Sequence, residues 1–418
     1  MLKYMKRQED GAMTFRELMY LTSEEEHDAR WDGMLVKGIE IEGKLSMLAN
    51  GDGAAGRYST LHTVPGSLQG ILRPYQERGY QWLAAMKDLG FGALLADDMG
   101  LGKTVQVITT LLEGLDRSDN PCLIVCPTSL LGNWQREFAR FAPMMRIYVH
   151  HGGSRLHGDP FLKECHECDV ILTTYQLVGR DSTELRSMEW STIVLDEAQY
   201  IKNFGTKQTQ SVMKLSAPHR IAMTGTPVEN RLSELWSIFQ FLNPGYLGSY
   251  SGFRSKYTGL GEQQSAELSK LRKLVSPLLL RRLKSDPDIR KDLPEKIELK
   301  SYCSMTVEQV RMYEAITEEL MTKISATDGI ARKGLVLSSL TKLKQICDHP
   351  QLAGGRVRTM NHAERSGKLE RLSELLDLIV DNGEAALIFT QYVQMGELLK
   401  EFLGQRYGST PFLSLMHS

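Results

Sequence analysis

The chain has 418 residues with a formal net charge of −1, and 42% of them are hydrophobic against 24% charged. This length favours two or three domains, the apolar runs are far shorter than the roughly 20 residues of a membrane-crossing helix, and the first residues lack a secretory signal. Because six cysteines in such a chain do not indicate a disulfide framework, we expect a cytoplasmic protein with no membrane partner, in which any nucleic-acid binding depends on local patches.

Residues 1–67 are predicted to form a peripheral helical segment followed by a linker. Ser23–Glu26 has the spacing of a capping box, which favours a helix start. The Gly-rich stretch Asn50–Gly56 has the composition of a flexible linker.

From Leu68 onward, short apolar runs alternate with longer helical patterns. The predicted strands are Ala93–Ala96, Cys122–Cys126, Ile147–His150, Val170–Thr173, Ile193–Leu195 and Arg220–Met223. The predicted helices between them include Thr104–Leu115, Ser129–Phe141 and Lys207–Leu215. This alternation predicts an α/β fold in which a parallel sheet is covered on both faces and binds ligands at the carboxyl ends of its strands.

The sequence DDMGLGKT (residues 97–104) follows the first of these strands and opens the first long helix. Gly100 and Gly102 let backbone N–H groups close around an anion, and the helix N-terminus adds partial positive charge at the same place. In such a phosphate cradle, Lys103 reaches the β- and γ-phosphates and the Thr104 hydroxyl binds Mg²⁺. The common pattern begins with Gly, whereas this one begins with Asp97. A plain Gly-rich turn is the structural alternative.

Two adjacent carboxylates, Asp196 and Glu197, follow the predicted strand Ile193–Leu195. We interpret Asp196 as a Mg²⁺ ligand on the side opposite Thr104, and Glu197 as the residue that orients or deprotonates the attacking water. A solvated turn is the alternative, and the phosphate cradle upstream argues against it.

The strand Arg220–Met223 is followed by Thr224, Gly225 and Thr226. Hydroxyl groups at this point can form hydrogen bonds toward the acid pair and transmit its state to another surface, so we predict that these three residues couple the site to the rest of the protein. An ordinary turn is the alternative.

Several ordered motifs resemble the Swi/Snf family, the double-stranded-DNA translocase branch of superfamily-two helicase-like ATPases. The motifs of the first part are DDMGLGKT, CPTSLLGNW (126–134), TTY (173–175), DEAQ (196–199) and TGTPVEN (224–230). Those further along are LRRLK (280–284), LPEK (293–296), QICDHP (345–350), SGKL (366–369) and IFTQY (388–392). The resemblance spans about residues 68–402, and so many motifs in the right order are hard to obtain by chance.

The resemblance implies a RecA-like P-loop lobe with a parallel sheet and helical insertions at 68–280, a linker at 281–300, and the incomplete start of a second RecA-like lobe at 301–418. It also implies ATP and Mg²⁺ as cofactors, with Gln76 reading the adenine. The implied nucleotide contacts are Arg73, Gln76, Asp98, Met99, Gly100, Leu101, Gly102, Lys103 and Thr104.

The resemblance further places contacts with double-stranded DNA at three strand ends, where Ser, Thr, Asn and Lys side chains and helix starts can bind phosphates. The candidates are Thr128, Ser129, Asn133, Thr173, Thr174, Tyr175, Lys202 and Asn203. As a structural alternative, Thr128 and Ser129 form an N-cap, and for Trp134 we favour a core aromatic.

Two features depart from the family. The acidic motif ends in Gln199 where the family more often has His, as in prokaryotic members, and this affects coupling more than metal binding. The chain also ends soon after the predicted strand Ile388–Tyr392, and residues 404–418 do not resemble the family's last motifs, which supply arginine fingers. Because such a finger is worth roughly 10³–10⁵ in turnover, we expect this chain to bind ATP–Mg²⁺ and to hydrolyse it very slowly.

Helical insertions are predicted at Leu232–Leu242, Gln264–Leu280, Val307–Ala326 and Gly334–Cys347, with a loop at Pro244–Gly261. The stretch 270–300 carries ten Lys or Arg and five Asp or Glu, so it is either a duplex-facing surface or a solvated face. Cys165–Cys168 and the histidines near it fit no defined zinc ligand set, which makes a zinc site the weaker alternative to a helix end.

The preferred function is an ATP-driven translocase on double-stranded DNA, expected to be monomeric and nucleoid-associated, that remodels complexes between DNA and an unidentified protein. A strand-separating helicase or an RNA-dependent ATPase of the same superfamily is the first alternative. The helical insertions and the DDMGLGKT motif favour the translocase. A nucleotide-sensing scaffold without enzyme activity is the second, and the intact Lys103, Thr104, Asp196 and Glu197 argue against it.

Overall fold

The computed structural model describes residues 30–31, 34–35, 62–114, 120–225, 232–257, 262–294, 297–325, 329–354 and 362–408. The chain divides into two compact units, Met1–Glu295 and Lys296–Ser418. Most of the predicted N-terminal helical segment and all of the predicted linker lie outside the described residues. The part that is described is an antiparallel pair, β1 (Arg30–Trp31) and β2 (Met34–Leu35). The helical prediction is wrong for these four residues, whose backbone groups pair across two strands rather than along a helix. No helix in the described ranges is long and apolar enough to cross a membrane.

A seven-stranded parallel sheet forms the centre of the first unit. Its strands are β3 (Ala93–Leu95), β4 (Cys122–Cys126), β5 (Ile147–Val149), β6 (Val170–Thr174), β7 (Thr192–Leu195), β8 (His219–Met223) and β9 (Leu279–Leu280). They lie in the order β5-β6-β4-β7-β8-β3-β9. All five residues of β4 are buried, and since successive residues point to opposite faces, both faces of the sheet are covered there. The predicted α/β fold with a parallel sheet is therefore confirmed.

The helices of the first unit surround this sheet. They are α1 (Pro74–Asp88), α2 (Lys103–Gly114), α3 (Leu131–Phe141), α4 (Asp159–Glu167), α5 (Tyr175–Arg180), α6 (Ser182–Ser187), α7 (Lys207–Met213), α8 (Leu232–Leu242), α9 (Tyr250–Tyr257), α10 (Glu262–Val275) and α11 (Pro287–Arg290). The register pairs Leu95 with Met223 and Leu195 with Ala222. Since β8 lies between β3 and β7, the residues that follow these two strands emerge at the same edge of the sheet.

Two further predictions in the first unit are wrong. The helix predicted to reach Leu280 ends at Val275, and a 3-10 turn at Ser276–Leu278 leads into β9. A proline in that turn cannot continue the hydrogen-bond ladder, and the two leucines after it pair with β3. The loop predicted at Pro244–Gly261 contains α9, because Phe253 and Tyr257 are buried in the core and impose the helix.

The second unit is helical in its described part. Its helices are α12 (Val307–Ser325), α13 (Gly329–Asp348), α14 (Gly367–Asp381) and α15 (Val393–Tyr407). Leu369, Leu376, Leu398 and Phe402 form a small core between α14 and α15. The strand predicted at Ile388–Tyr392 is wrong, since no strand pairs with these residues within 297–408 as described.

Candidate nucleotide-binding site

The loop between β3 and α2 has the backbone of a phosphate cradle. Gly100 and Gly102 have φ of 85° and 75°, in the left-handed region that residues with a Cβ disfavour. A Cβ on Gly102 would also lie 2.3 Å from Nε2 of Gln76. Leu101 is fully buried and packs against Tyr75, which fixes the loop from below. Because the two glycines have no Cβ, the space next to their backbone N–H groups stays open for an anion.

Lys103 is hydrogen-bonded to this loop and interacts electrostatically with the acid pair. Its Nζ donates hydrogen bonds to the carbonyl oxygens of Asp97 (2.7 Å) and Asp98 (3.4 Å). Burial lowers the pKa of the Lys103 ammonium, and the negative charges of Asp97, Glu197, Asp196 and Asp98 oppose that shift. The loop lysine and the two carboxylates after β7 therefore lie in one electrostatic site. Thr104, the predicted Mg²⁺ ligand, follows Lys103 in the first turn of α2.

Three protein groups hold Asp196. The indole Nε1 of Trp134 donates to Oδ2 at 2.9 Å, and the backbone N–H of Glu197 donates to Oδ1 at 2.9 Å. The hydroxyl of Tyr175 donates to the Asp196 carbonyl at 2.8 Å. Burial raises the pKa of Asp196 to about 6, and the hydrogen bond from Trp134 opposes this increase. The carboxylate is thus oriented by fixed donors before any ligand arrives.

Trp134 is fully buried, which confirms its interpretation as a core aromatic. Its hydrogen bond to Asp196 was not expected from the sequence. The position of Trp134 in the sequence could have indicated this bond. Trp134 belongs to the motif that follows β4, and β4 lies beside β7 in the sheet. A buried indole N–H needs an acceptor, and an acid at the next strand end supplies one.

Glu197 lies in a strained turn and is tied to the predicted coupling residues. Its φ of 51° is left-handed, the only such value among the non-glycine residues that the structure describes. Gln199 Nε2 donates to Glu197 Oε2 at 2.8 Å, and the Thr224 hydroxyl donates to Gln199 Oε1 at 2.9 Å. Gln199, the residue that departs from the family pattern, therefore bridges Glu197 and Thr224.

The residues after β8 also contact the loop. The backbone N–H of Thr224 donates to the carbonyl of Leu95 at 3.1 Å, and a Cβ on Gly225 would lie 3.0 Å from Cγ of Met99. Met99 itself is 71% exposed. Thr226 lies outside the described residues. Thr224 and Gly225 are thus positioned between the acid pair and the phosphate cradle.

The predicted adenine-reading residue lies against the same loop. Gln76 Nε2 donates to the carbonyl of Leu101 at 3.3 Å, and its Oε1 accepts from the backbone N–H of Arg73 at 2.9 Å. The Arg73 guanidinium donates to the carbonyl of Asp292. The structure therefore brings Gln76 to the cradle, while the Arg73 side chain is engaged by the segment after α11.

The predicted DNA contacts divide into exposed and buried groups. Thr128 and Ser129 are exposed in a 3-10 turn at the end of β4, Asn203 is exposed, and Asn133 and Lys202 are half-buried. The other three, Thr173, Thr174 and Tyr175, are at most 2% exposed.

The buried group differs from the sequence expectation because β6 is an interior strand whose residues all point into packed layers. The Thr173 hydroxyl donates to the carbonyl of His150 at 3.2 Å, and Thr174 caps α5. The ring of Tyr175 stacks on the half-exposed ring of Tyr200, with centroids 5.1 Å apart. Through this stack, the buried tyrosine that holds Asp196 lies directly beneath the surface.

Sequence reasoning also missed Arg282, which pairs with Asp97. Asp97 is fully buried, and the Arg282 guanidinium donates to both of its carboxylate oxygens. The Asp in place of the usual Gly at the start of the loop was the signal, because a buried carboxylate requires a cation.

The residues around Cys165 belong to the core and to ion pairs. Cys165 is fully buried, and burial raises its pKa to about 12, which disfavours the thiolate that zinc requires. His150 Nε2 lies 3.0 Å from Asp181. Within the described ranges, no group of three or more His, Cys, Asp or Glu side chains could hold a metal ion.

A glycine loop before a helix that begins with Lys-Thr, at the same sheet edge as an Asp-Glu pair that follows a parallel strand, defines the class of P-loop nucleoside-triphosphate-binding proteins. A family model described as the SNF2-related domain matches residues 75–352, and the chain belongs to this family. The chain is 47% identical over 351 residues to the Bacillus subtilis protein YwqA, which is named as an ATP-dependent helicase/translocase. It is 33% identical over 346 residues to the Saccharomyces cerevisiae ISWI chromatin-remodelling ATPase ISW2.

A solved structure of the Sulfolobus solfataricus SWI2/SNF2 ATPase core in complex with double-stranded DNA matches with 42% identity and a TM-score of 0.52, covering 83% of this chain and 73% of that one. The matches to the curated relatives cover 83% and 80% of this chain, and 38% of YwqA and 31% of ISW2. The chain thus spans well under half the length of these relatives.

Proposed function

We propose that this chain binds ATP with Mg²⁺ and couples ATP hydrolysis to movement along double-stranded DNA, so that the protein displaces or remodels other proteins bound there. The observation that carries this proposal is that the charges of Asp196 and Glu197 act on Lys103 beside an open glycine cradle. The names of the relatives and the DNA complex of a similar ATPase core support the choice of duplex DNA. We also propose that the protein is a monomer associated with the nucleoid. We propose that its two RecA-like lobes comprise residues 68–280 and 301–418.

The residues present fit ATP and Mg²⁺. Thr104 and Asp196 are the hydroxyl and carboxylate that would hold Mg²⁺, which neutralises phosphate charge when it is bound. The Lys103 ammonium is now held by two neutral carbonyls, so it can exchange these acceptors for a phosphate oxygen and gain a charge-assisted bond. Glu197 would accept a proton from the attacking water at its carboxylate, whose Oε2 is oriented by Gln199.

The exposed Thr128, Ser129 and Asn203 are the proposed duplex contacts, together with the half-buried Asn133 and Lys202. Thr173, Thr174 and Tyr175 have a different proposed role, which is to support this surface from within. Tyr175 contacts Asp196 on one side and the half-exposed Tyr200 on the other, so a change at the surface can reach the acid pair through one stacked ring.

We further propose that this chain alone hydrolyses ATP slowly. Phosphoryl transfer is fast when an arginine faces the γ-phosphate. Arg282 and Arg73, which lie near the cradle, are both engaged by protein acceptors. Neither is available to stabilise the transition-state charge without breaking these contacts.

The first test compares ATP–Mg²⁺ binding by the wild type, Lys103→Ala and Lys163→Ala, which removes an exposed lysine from α4. We expect Lys103→Ala to weaken binding by about 10- to 100-fold, since a hydrogen bond to a charged group is worth about 1.5–3 kcal/mol. Lys163→Ala should bind like the wild type. Equal affinity in all three proteins would contradict the proposal.

The second test concerns the nucleic acid. ATP turnover is measured without DNA, with duplex DNA and with RNA, and a forked duplex reports strand separation. A duplex translocase is stimulated by double-stranded DNA and releases no strand. Strand release, or stimulation by RNA alone, would favour the helicase or RNA-dependent ATPase. Fast turnover, on the order of 1–100 s⁻¹, would contradict slow hydrolysis by this chain.

A further inference from the structure

Arg282 is the second residue after β9 and is almost completely buried, with 8% of its surface exposed. Its guanidinium uses most of its N–H groups on protein acceptors. Nε donates to Asp97 Oδ1 at 2.9 Å, and Nη2 donates to Asp97 Oδ2 and to Gln106 Oε1, the latter at 2.7 Å. Nη1 donates to the carbonyl of Tyr75. Such a planar fork with several fixed acceptors has one allowed position.

The acceptors belong to three different parts of the nucleotide site. Tyr75 precedes Gln76 in α1, Asp97 opens the phosphate cradle, and Gln106 lies one turn after Lys103 in α2. The Arg282 side chain therefore joins the helix that would contact the base to the loop and helix that would contact the phosphates. It comes from a segment that belongs to none of these three elements.

The space for this side chain is built into α1. A Cβ on Gly79 would lie 1.8 Å from Oε1 of Gln106 and 2.7 Å from Nη2 of Arg282. Only a glycine at this position lets α1, α2 and the guanidinium meet. This observation is independent of the hydrogen bonds and points to the same junction.

The main chain around Arg282 also runs along the loop. The backbone N–H of Ala96 donates to the carbonyl of Leu280 at 2.7 Å, and that of Asp98 donates to the carbonyl of Arg282 at 3.0 Å. The backbone N–H of Lys284 donates to Asp98 Oδ2 at 3.0 Å. The segment 280–284 therefore extends the pairing of β9 with β3 up to the cradle itself.

We propose that Arg282 is a positioning residue of the nucleotide site, which holds the base-contacting helix and the phosphate cradle in the relative arrangement that binds ATP. This inference rests on the proposed ATP binding. It assigns Asp97, the departure from the common loop pattern, as the anchor for the guanidinium. A purely structural role would consist only of neutralising the buried charge of Asp97.

The test measures the dissociation constant for ATP–Mg²⁺ and the melting temperature in parallel. Arg282→Met should weaken ATP binding by about 10- to 100-fold, since the apparent affinity falls in proportion to the fraction of molecules that keep the binding-competent arrangement. Arg282→Lys keeps the charge without the fork and should lie between Arg282→Met and the wild type. Arg281→Met, which removes the exposed arginine beside it, is the matched control and should bind ATP normally.

Because Arg282→Met leaves a buried carboxylate unpaired, which destabilises the fold, a second pair of variants separates the two roles. Asp97→Gly restores the common loop residue, and Asp97→Gly with Arg282→Met removes both charges. A positioning role predicts that the double variant melts at or above the temperature of Asp97→Gly, in which the buried guanidinium has lost its carboxylate. The double variant should still bind ATP about 10-fold more weakly than Asp97→Gly, because the links to Tyr75 and Gln106 are lost.

Equal ATP affinity in Asp97→Gly and the double variant would overturn this inference and leave only charge neutralisation. Failure of the wild type to bind ATP would overturn the proposed function and this inference with it. The two failures are distinguished by the wild-type measurement, which is made first.

Discussion

The hydrogen bond from Trp134 to Asp196 allows a specific prediction. Trp134→Phe keeps a buried aromatic ring but removes the only donor of the indole, so Oδ2 of Asp196 loses the bond of 2.9 Å. Hydrogen bonds to charged groups contribute about 1.5–3 kcal/mol, which corresponds to about 1–2 pKa units. We therefore expect the pKa of Asp196, about 6 in the wild type, to rise to between about 7 and 8.

The sign of the effect on binding follows from the charge that Mg²⁺ needs. A carboxylate ligand must be deprotonated, so the affinity for ATP–Mg²⁺ decreases as the pH falls through the pKa of Asp196. In Trp134→Phe this loss should begin at higher pH. At pH 7 the ionised fraction of the carboxylate falls from about nine-tenths to between about a half and a tenth, which weakens binding by roughly 2- to 10-fold.

The assay is the dissociation constant for ATP–Mg²⁺ between about pH 5.5 and about pH 9, a range that covers both expected midpoints. Trp190→Phe is the matched control, because Trp190 is also fully buried and its indole donates to the carbonyl of Leu185 at 2.8 Å, away from the acid pair. Protonation of ATP affects all three proteins alike. The reasoning is refuted if Trp134→Phe and Trp190→Phe have the same midpoint, or if the loss in Trp134→Phe persists undiminished at high pH.

Three further predictions concern the loop, a buried histidine and the coupling residues. Gly102→Ala should lower the melting temperature and the ATP affinity more than Gly100→Ala does. Both variants add a Cβ at positive φ, but only the Cβ at residue 102 would lie 2.3 Å from a neighbouring side chain. Equal effects of the two variants would contradict the cradle geometry. Burial lowers the pKa of His219 to about 3, so the unfolded chain binds a proton below about pH 6.5 that the folded protein excludes. This group should therefore lower the free energy of unfolding by about 4 kcal/mol between about pH 6.5 and about pH 3. When urea unfolding is measured across this pH range, His219→Gln should not show this part of the decrease. Thr224→Val removes the hydroxyl that holds Gln199. Because about 1 kcal/mol of hydrogen bonding is lost, we expect DNA-stimulated turnover to be about 5-fold slower, with unchanged ATP affinity. A change in ATP affinity instead of turnover would argue against coupling.

The sheet and the nucleotide loop could be predicted because their signals are local. Buried parallel strands are continuous apolar runs, and the six predicted strands lie within one residue of the observed ends. Cys122–Cys126 is correct at both ends. The cradle follows from residue types within eight positions, since positive φ at Gly100 and Gly102 and a helix starting at Lys103 are what that spacing requires.

The features that were missed depend on residues far apart in the chain. Asp97 and Arg282 are 185 positions apart, and no local pattern joins a loop acid to an arginine after a two-residue strand. Trp134 and Asp196 are 62 positions apart, and their contact follows only from the strand order. The strand predicted at Ile388–Tyr392 shows the same dependence, since an apolar run becomes a strand only beside a partner.

The position of β3 in the sheet also has a consequence for the newly made protein. Its two neighbours are β8 and β9, both encoded far downstream, and Arg282 emerges from the ribosome 185 residues after Asp97. At about 5–20 residues per second, this interval lasts roughly 10–40 s. During that time the Gly-rich segment exists without the guanidinium and the flanking strands that shape it. A nascent chain should therefore acquire its affinity for nucleotide abruptly and late, when the last strand of the first unit has been translated.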